Sequence, residues 1–474
     1  MTEQTFTGTL TGEDRARGHI VYVPFTVPPG TARIEVDYSF WGGNSILDLG
    51  LADPDFGPFP ATEGFRGWSG SARRQAHVTA TDATPGYIPG SLQPGRWQVL
   101  LGLARVSPQG CDYTVTVRTT PGRTGPDPVR RREERPVPAA PEWLPGDLQS
   151  HTHHSDARGS VMDLLQAART RGLSFLAVTD HNTCSHHAEL RELTSEELVL
   201  IPGTEVTTYR GHANVWGVNG FVDFRVRDDA DLDQLVRQVH ERGGLFSVNH
   251  PKVTPDCIGC DWEFAVPREA DAFEAWQGPW AARNWESLAR FDERLRSGQR
   301  LTLVGGSDRH QPPQPDTDPA VLQVGSPTTW LHASRSIEAL LDALRAGKAF
   351  VSESPTGPRL EITAGAVAMG GAYSATSGKV RMRARVRGAS GDRLAWVSAE
   401  GTVREADLTG DDFSDEFDWE ISGPFIRAEI RAVRSLAGVK RELQRLLPAA
   451  SAAEALLRPW RRALSNPVYF GPRD

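Results

Sequence analysis

Hydrophobic and polar residues alternate along the first 118 positions, with Gly, Pro and Asp between the alternating runs. Clear runs of this kind are residues 34–40, 97–103 and 113–117. A period of two residues directs one face of a strand toward a core and the other toward solvent. The pattern therefore predicts an N-terminal β-sandwich over residues 1–118.

After Gly146 the pattern changes to amphipathic helices that alternate with short apolar runs. Apolar residues follow the i, i+3, i+4, i+7 spacing of one helix face in residues 161–168, 232–239 and 337–344. Four apolar runs between these stretches suit buried parallel strands: Phe175–Val178, Leu198–Ile201, Leu245–Val248 and Leu301–Val304. This alternation predicts an α/β domain over residues 146–355, built as a barrel or a doubly wound sheet.

Two further segments complete the predicted organisation. Residues 119–145 are Pro-rich and charged, which is typical of a linker. Residues 356–474 return to strand alternation and predict a smaller C-terminal β domain. Within it, residues 439–464 follow a helical pattern that Pro448 and Pro459 interrupt.

Composition and charge narrow the class of protein. A chain of 474 residues is too long for a single core, which agrees with several domains. The formal net charge of −8 offers no bulk positive field, so we expect no nucleic-acid partner. The N-terminus lacks signal-peptide features and no apolar run is long enough to span a bilayer, so we expect a cytoplasmic protein without a membrane partner. The sequence leaves the oligomeric state open.

The chain contains four cysteines, too few for a disulfide framework at this length. Cys257 and Cys260 form a single C-x-x-C pair, and no second pair completes a zinc site of four sulfur ligands. We therefore expect reduced thiols that bind no metal.

Histidines and carboxylates crowd the loops that follow the predicted strands. The segments are Gln149-Ser-His-Thr-His-His-Ser-Asp156, Thr179-Asp-His181, Pro202-Gly-Thr-Glu205, Gly211-His-Ala-Asn214, Val248-Asn-His-Pro251 and Ser307-Asp-Arg-His310. In α/β barrels the carboxyl ends of the strands converge on one active site. Imidazole and carboxylate suit zinc, manganese or iron, and a carboxylate such as Glu205 bridges two ions whose shared water ionises to a nucleophile. The isolated histidines are interpreted as surface or core residues: His19, His77, His240 and His332.

In these motifs the sequence resembles the PHP family, named for polymerase and histidinol phosphatase, and within it the carbaryl-hydrolase-like branch of metallohydrolases. The motifs occur in family order between residues 146 and 350, and the flanking β domains are similar to that branch. The resemblance implies an α/β fold, a distorted (β/α)7 TIM-like barrel that holds two or three divalent metal ions of zinc, manganese or iron.

By position, the resemblance implies three metal sites with shared ligands. These are His151, Glu205 and Asp308 for the first, Glu205, His212 and His250 for the second, and Asp156, His181 and His310 for the third. One departure is that Gln149 stands where the family's His-x-His motif has its first histidine. In an alternative register, His151 and His153 form the His-x-His motif. The spacing between this motif and Asp156 is then two residues shorter. An amide oxygen is a weaker ligand for zinc than imidazole. The alignment that places Gln149 at the first histidine, here called the first register, therefore predicts that the first metal site is weak or exchangeable, or is filled by manganese or iron.

The resemblance to the family implies hydrolysis of a phosphate ester, and its carbaryl-hydrolase-like branch implies a carboxyl ester or carbamate instead. Both reactions would use the same metals. Our leading prediction is that the substrate is a small-molecule ester that contains phosphate. Lys252 and Arg309, beside the ligands His250 and Asp308, are candidates to bind an anionic oxygen in catalysis, although each also suits a surface salt bridge. A third hypothesis is a non-catalytic binding module, which Gln149 favours.

Further polar and aromatic residues lie near the motifs. Asp180 is expected to orient a ligating imidazole. One group is suited either to a substrate wall or to core packing: Trp262, Trp276, Trp280 and Asn284. A second group is suited either to proton donation or to solvated loops: His153, His154, His186 and His187. The β domains are expected to pack against the α/β domain.

Overall fold

The computed structural model describes residues 1–122, 140–254, 257–312, 320–433 and 458–472. These residues form a mixed α/β protein in which strands far outnumber helices. None of the described helices is both long and apolar enough to cross a membrane.

Two four-stranded antiparallel sheets form the N-terminal part. Their strands are β1 (Thr2–Leu10), β2 (Ile20–Val27), β3 (Thr31–Trp41), β4 (Ile46–Ala52), β5 (Phe65–Gly70), β6 (Gln75–Thr79), β7 (Gly95–Arg105) and β8 (Cys111–Pro121), with a short helix α1 (Gly12–Arg17) after β1. One sheet has the order β1-β8-β3-β6 and the other β2-β7-β4-β5. Alternate residues such as Ile34 and Val36 in β3, and Trp97 and Val99 in β7, are buried in a common core, as their period of two predicts.

A second unit combines a curved sheet with helices. Its elements are β9 (Glu142–Asp147), α2 (Val161–Thr170), β10 (Phe175–Val178), α3 (His187–Leu193), β11 (Val199–Thr208), β12 (Gly211–Trp216), α4 (Asp229–Glu241), β13 (Leu245–Val248), β14 (Ala272–Gln277), α5 (Asn284–Arg296), β15 (Thr302–Gly306), β16 (Thr328–Ala333), α6 (Ile337–Arg345) and β17 (Ala349–Ser352). The predicted helices are present because each buries an apolar face, and α2 and α4 begin at the side-chain caps Ser160 and Asp228.

The strand order of this unit is β15-β14-β13-β12-β11-β10-β9-β16-β17. The sheet curls so far that the loop after β15 meets the loop after β9, where Asp308 N donates to Gln149 O at 2.9 Å. Strand β12 runs antiparallel to both of its neighbours, and β16 runs antiparallel to β9. The described residues thus form a mixed α/β structure with a curved sheet that lacks the all-parallel order of a regular TIM-like barrel, so the (β/α)7 barrel stays a prediction.

The C-terminal part is also formed by strands. They are β18 (Arg359–Ala364), β19 (Val367–Ala368), β20 (Ala372–Tyr373), β21 (Lys379–Arg387), β22 (Arg393–Ser398), β23 (Gly401–Asp407), β24 (Asp412–Glu420), β25 (Phe425–Arg431), β26 (Arg461–Ser465) and β27 (Val468–Phe470). One sheet has the order β19-β18-β21-β24, whereas β26-β25-β22-β23 continues the curved sheet through the pairing of β17 with β26. Beside β26, the Asn466 side chain accepts from Leu303 N at 2.7 Å and donates to Ala349 O at 2.9 Å, which fastens this segment to β15 and β17.

Several predicted boundaries differ from the structure. Most of the predicted helix at 439–464 lies outside the described residues, and its last part is wrong, because residues 461–465 form β26 between β17 and β25. Strand β8 extends to Pro121 and β9 begins at Glu142, so both ends of the predicted linker are strand; residues 123–139 lie outside the described part. Helix α5 has an apolar face that the sequence analysis missed, Leu288, Phe291 and Leu295.

The N-terminal sandwich packs over the carboxyl ends of the curved sheet. Phe65 of β5 stacks on Phe221 with ring centroids 4.0 Å apart. The Arg73 guanidinium donates to Ser155 O at 2.8 Å and also to His153 O. The sandwich therefore holds the loop that carries His151 and Asp156.

Candidate metal centre

The predicted ligands come from the ends of neighbouring strands. Gln149, His151 and Asp156 follow β9, His181 follows β10, Glu205 and His212 lie in β11 and β12, His250 follows β13, and Asp308 and His310 follow β15. Backbone φ is 28° at His250 and 51° at Asp308, in the left-handed region that side chains rarely adopt. Such conformations persist at functional sites where the surrounding structure enforces them.

The carboxylate of Glu205 lies at the centre of the cluster and is fully buried. Its Oε1 lies 3.2 Å from His250 Nε2 and 3.4 Å from His212 Nδ1. Its Oε2 lies 3.1 Å from His181 Nδ1 and 3.3 Å from His151 Nε2. One carboxylate thus touches four imidazoles, which is the arrangement expected of a bridging ligand.

Asp308 and His310 extend the cluster on the side of His151. Asp308 Oδ1 lies 2.8 Å from His151 Nε2, and His310 Nε2 lies 3.1 Å from His181 Nε2. Asp156 Oδ1 lies 3.5 Å from His181 Nε2 and 3.4 Å from His310 Nε2. The structure therefore brings all the predicted ligands into one continuous group.

Buried ligand atoms without hydrogen bonds are the test of whether metal ions fit this group. Among the described residues, such atoms include Gln149 Oε1, His151 Nδ1 and Nε2, Glu205 Oε2, His212 Nε2 and Asp308 Oδ1. Buried polar atoms normally have partners, and a site with many unpaired acceptors is costly unless a cation satisfies them. Three triads offer ligand atoms within 4.8 Å of one another: His151, Glu205 and Asp308; Glu205, His212 and His250; and His151, His181 and His310. The donor set is compatible with divalent metal binding.

Charge and burial set the protonation of the ligands. Burial lowers the pKa of His151 and of His212, which favours the neutral imidazole that binds metals. Burial raises the pKa of Glu205, but His181 and the hydrogen bonds of three imidazoles outweigh it and hold this pKa well below its usual value. Burial also lowers the pKa of His181, but Asp156 and Glu205 reverse the effect and raise it to about 10. Without metal, Asp156 and Glu205 thus favour a protonated His181, and a bound metal ion would displace this proton.

Gln149 lies within the cluster, as the first of the two registers requires. Its Nε2 donates to Glu205 Oε1 at 3.0 Å, while its own Oε1 is buried without a hydrogen bond. Asn249, which the sequence analysis did not single out, donates to the same Glu205 oxygen at 3.0 Å. His153, the partner of His151 in the alternative register, is not among the residues of the three triads.

Lys252 and Arg309 do not lie where the sequence analysis expected them. The Lys252 ammonium is buried and donates to Gln277 Oε1 at 2.7 Å and Asn284 Oδ1 at 2.9 Å, and burial lowers its pKa to about 8. The Arg309 guanidinium donates to backbone carbonyls, including Gln311 O at 3.0 Å. Neither residue is among the described residues that line the cavity over the cluster. Backbone direction after β13 and β15 turns both side chains away, so direct contact with a substrate anion is not supported for either.

Asp180 has a different role from the predicted one. Its carboxylate accepts from Thr152 N at 2.8 Å and from Ser155 Oγ at 2.6 Å, and it lies 3.4 Å from His186 Nδ1. It therefore holds the backbone of the loop between His151 and Asp156 rather than the imidazole of a candidate ligand.

The remaining candidates are mostly structural. Trp262, Trp276 and Trp280 are buried in the main hydrophobic core, and Asn284 binds Lys252. Among the spare histidines, His154 contacts Ser185 and Glu189, whereas His186 and His187 reach the Gly203 carbonyl. None of these residues, nor His153, is among the described residues that line the cavity. The substrate-wall and proton-donor alternatives are therefore not supported.

A cavity of about 1210 Å³ opens above the cluster, larger than most small-molecule sites. His181, His212, His250, Asp308 and His310 line one side. The sandwich lines the other side with residues that include His19, Asp48, Trp68 and Arg105. His19 was interpreted as an ordinary surface or core residue, but it forms part of this wall beside Tyr209, with ring centroids 5.3 Å apart. The sandwich thus does more than pack against the sheet.

The cysteine prediction is wrong. Cys257 and Cys260 form a disulfide, with their Cα atoms 5.6 Å apart, a normal span for this bond. Both cysteines line the cavity. Cys111 and Cys184 are free, as expected.

Sequence analysis missed two residues beside the ligands. Glu274 is buried and its Oε2 accepts from His250 N at 3.0 Å; burial, with Asp308 and Glu205 nearby, raises its pKa well above the usual value. Gln277 Nε2 donates to Asp308 Oδ2 at 2.7 Å. Both lie in β14, which the sequence analysis did not recognise as a strand because Glu274 interrupts its apolar run.

Comparison with known proteins gives distant likenesses. No family model matches the sequence. An uncharacterized protein of Methanocaldococcus jannaschii is 25% identical over 126 residues, which cover 24% of this chain and 71% of that protein. A crystal structure of a two-domain protein containing a predicted PHP-like metal-dependent phosphoesterase from Bacteroides vulgatus is 17% identical, covers 64% of this chain and 95% of that chain, and has a TM-score of 0.35. A family two carbohydrate esterase from Cellvibrio japonicus is 10% identical, covers 73% of this chain and 97% of that chain, and has a TM-score of 0.12. Such scores are too low to carry an argument, so function is inferred from the site itself.

Proposed function

We propose that the protein is a metal-dependent hydrolase of phosphate esters. The observation that carries the proposal is the convergence of buried, unsatisfied ligand atoms around Glu205. When bound, divalent cations supply an acidified water as nucleophile and positive charge for the attacked group. The proposal also agrees with the resemblance of the strand-end motifs to the PHP family, which comes from the sequence alone.

Shared ligands favour two or three ions close together. Glu205 is common to the triad with His151 and Asp308 and to the triad with His212 and His250. The third triad shares His151 with the first. Asp156, half-exposed at the edge of this third group, is positioned to complete it.

Two arginines favour an anionic substrate over a neutral carboxyl ester. Among the described residues, the side chains of Arg158 and Arg105 make no hydrogen bond or ion pair, yet both line the cavity. The Arg158 backbone is anchored next to the cluster, because its N donates to His310 O at 3.1 Å. A guanidinium in this place binds phosphate oxygens through paired N–H groups. We assign to Arg158 the substrate-binding role that Lys252 and Arg309 do not have.

The apolar part of the cavity suits the organic part of such an ester. Trp68 of the sandwich and Phe224 of the sheet domain lie together in the wall, with ring centroids 4.7 Å apart. The sandwich forms the wall on this side of the cluster. An apolar wall lowers the local dielectric and strengthens charge interactions with a bound phosphoryl group.

The test is a metal-dependent assay with three chromogenic substrates. Protein stripped with a chelator is supplied with manganese or zinc and tested with bis(p-nitrophenyl) phosphate, p-nitrophenyl phosphate and p-nitrophenyl acetate. We expect metal-restored turnover of at least one phosphate ester. Turnover of the acetate alone would refute the phosphate proposal in favour of a carboxyl-ester hydrolase, and no turnover with bound metal would favour the binding module.

Matched variants connect the activity to the site. His250→Ala should abolish turnover, whereas His240→Ala, which only loses an exposed contact with Asp271, should not. Arg158→Leu should raise KM by roughly 10-fold or more for the phosphate ester that the wild-type protein hydrolyses. The reason is that a hydrogen bond to a charged group contributes about 1.5–3 kcal/mol. An unchanged KM would remove Arg158 from the proposal.

A further inference from the structure

Lys252 is a buried cation without a carboxylate at ion-pair distance among the described residues. The residue is 3% exposed, and its Nζ lies 2.7 Å from Gln277 Oε1, 2.9 Å from Asn284 Oδ1 and 3.4 Å from Gln277 O. Three acceptors thus match the three protons of the ammonium. Burying such a charge is costly, and a hydrophobic side chain would fill the space at lower cost.

The ammonium determines the orientation of the Gln277 amide. An ammonium can only donate, so the oxygen of Gln277 must face Lys252. The amide nitrogen then faces the opposite way, where Nε2 donates to Asp308 Oδ2 at 2.7 Å. Asn284 fixes the backbone of Gln277 in the same place, since its Oδ1 accepts from Gln277 N at 2.9 Å and its Nδ2 donates to Gln277 O at 2.9 Å.

This chain of hydrogen bonds gives the two carboxylate oxygens of Asp308 different environments. Oδ2 is engaged by Gln277, whereas Oδ1 is buried, makes no hydrogen bond and lies 2.8 Å from His151 Nε2. We propose that Lys252 is a positioning residue that acts through Gln277 to hold Asp308 as a one-oxygen metal ligand. The inference rests on the metal centre proposed above. It assigns Lys252 to the metal site and not to the substrate.

The experiment measures manganese affinity by calorimetry in the chelator-stripped full-length protein. The variants are Lys252→Met, Gln277→Met and the double variant, with Lys348→Met, at an exposed position, as the control. Partners that orient a metal ligand typically contribute 10–100-fold in affinity. We expect each single variant to lose about 10-fold or more at the Asp308 site, while binding by Glu205, His212 and His250 persists and the control is unchanged.

The double variant separates positioning from mere packing. If Lys252 acts through Gln277, Lys252→Met should have little further effect on affinity in the Gln277→Met background. Wild-type manganese affinity in Lys252→Met would overturn the inference. So would an effect of Lys252→Met that is as large in the Gln277→Met background as in the wild-type protein. If Lys252→Met does not fold, Gln277→Met decides alone, and wild-type affinity there overturns it. Absence of manganese binding in the wild-type protein would instead refute the metal centre itself.

Discussion

Replacing Glu205 by glutamine separates metal binding from folding. Glutamine has the same shape, and its oxygen can still accept the hydrogen bonds that Gln149 and Asn249 now donate to Glu205 at 3.0 Å each. Its amide nitrogen would then face the imidazoles of His181 and His151, which lie 3.1 and 3.3 Å from Glu205 Oε2. The variant keeps these contacts and should still fold without metal, but the metal-free protein loses stability because His181 loses the buried carboxylate that raises its pKa.

The expected loss of metal affinity follows from the shared position of Glu205. It belongs to two of the three candidate triads and is the only carboxylate in the triad with His212 and His250. Loss of a group that merely orients a ligand costs roughly 10–100-fold. A shared ligand that loses its charge should cost at least about 100-fold at both sites, which corresponds to about 2.7 kcal/mol.

The assay is a calorimetric titration of chelator-stripped protein with manganese, together with thermal unfolding of the metal-free protein. The matched control is Glu189→Gln, since among the described residues Glu189 contacts His154 at 3.4 Å and neither residue belongs to the three triads. We expect the control to bind like wild type and to unfold at a similar temperature, whereas E205Q should bind weakly and its metal-free form should unfold cooperatively at a lower temperature. Manganese binding by E205Q with wild-type stoichiometry and affinity would refute the bridging role.

Two further predictions concern single residues. Gln149→His should strengthen the first metal site by about 10-fold or more in competition with a chelator, because imidazole is the better ligand for zinc; equal affinity would mean that the amide costs little. Burial raises the pKa of Asp48 to about 6 from 3.8. The folded state therefore binds more protons than the unfolded state between pH 4 and 6. As a result, the free energy of unfolding falls as the pH rises through that window. Urea unfolding should show wild type losing about 2 kcal/mol relative to Asp48→Asn between pH 4 and 6, and parallel profiles would contradict this.

The sequence was informative where chemistry follows local pattern. Helices α2, α4 and α6 and strands such as β10 and β13 have apolar spacings that match their periods, and the structure confirms them. The ligand motifs follow successive strands, and the curvature of the sheet brings them together.

What the sequence could not predict depends on tertiary contacts. Lys252 and Arg309 are next to ligands in sequence, but the side-chain direction after each strand end takes them away from the cavity. His19 reaches the cavity from a sheet that is distant in sequence. Residues 461–464 were predicted as the end of a helix, yet pairing with β17 and β25 makes them part of a strand, because tertiary context overrides local propensity.

Strand β26 has a consequence for how the chain can be divided. It lies between β17 and β25, so the curved sheet and the C-terminal strands share one continuous set of backbone hydrogen bonds. A fragment ending at residue 355 would leave β17 with an unpaired edge and would lose the Asn466 contacts that join it to β15. Exposed edges of this kind promote aggregation. The sheet that carries the candidate ligands is therefore completed by a strand more than a hundred residues further along the chain than β17. Because such long-range pairing is slow to form, this C-terminal segment should matter for the folding of the candidate site.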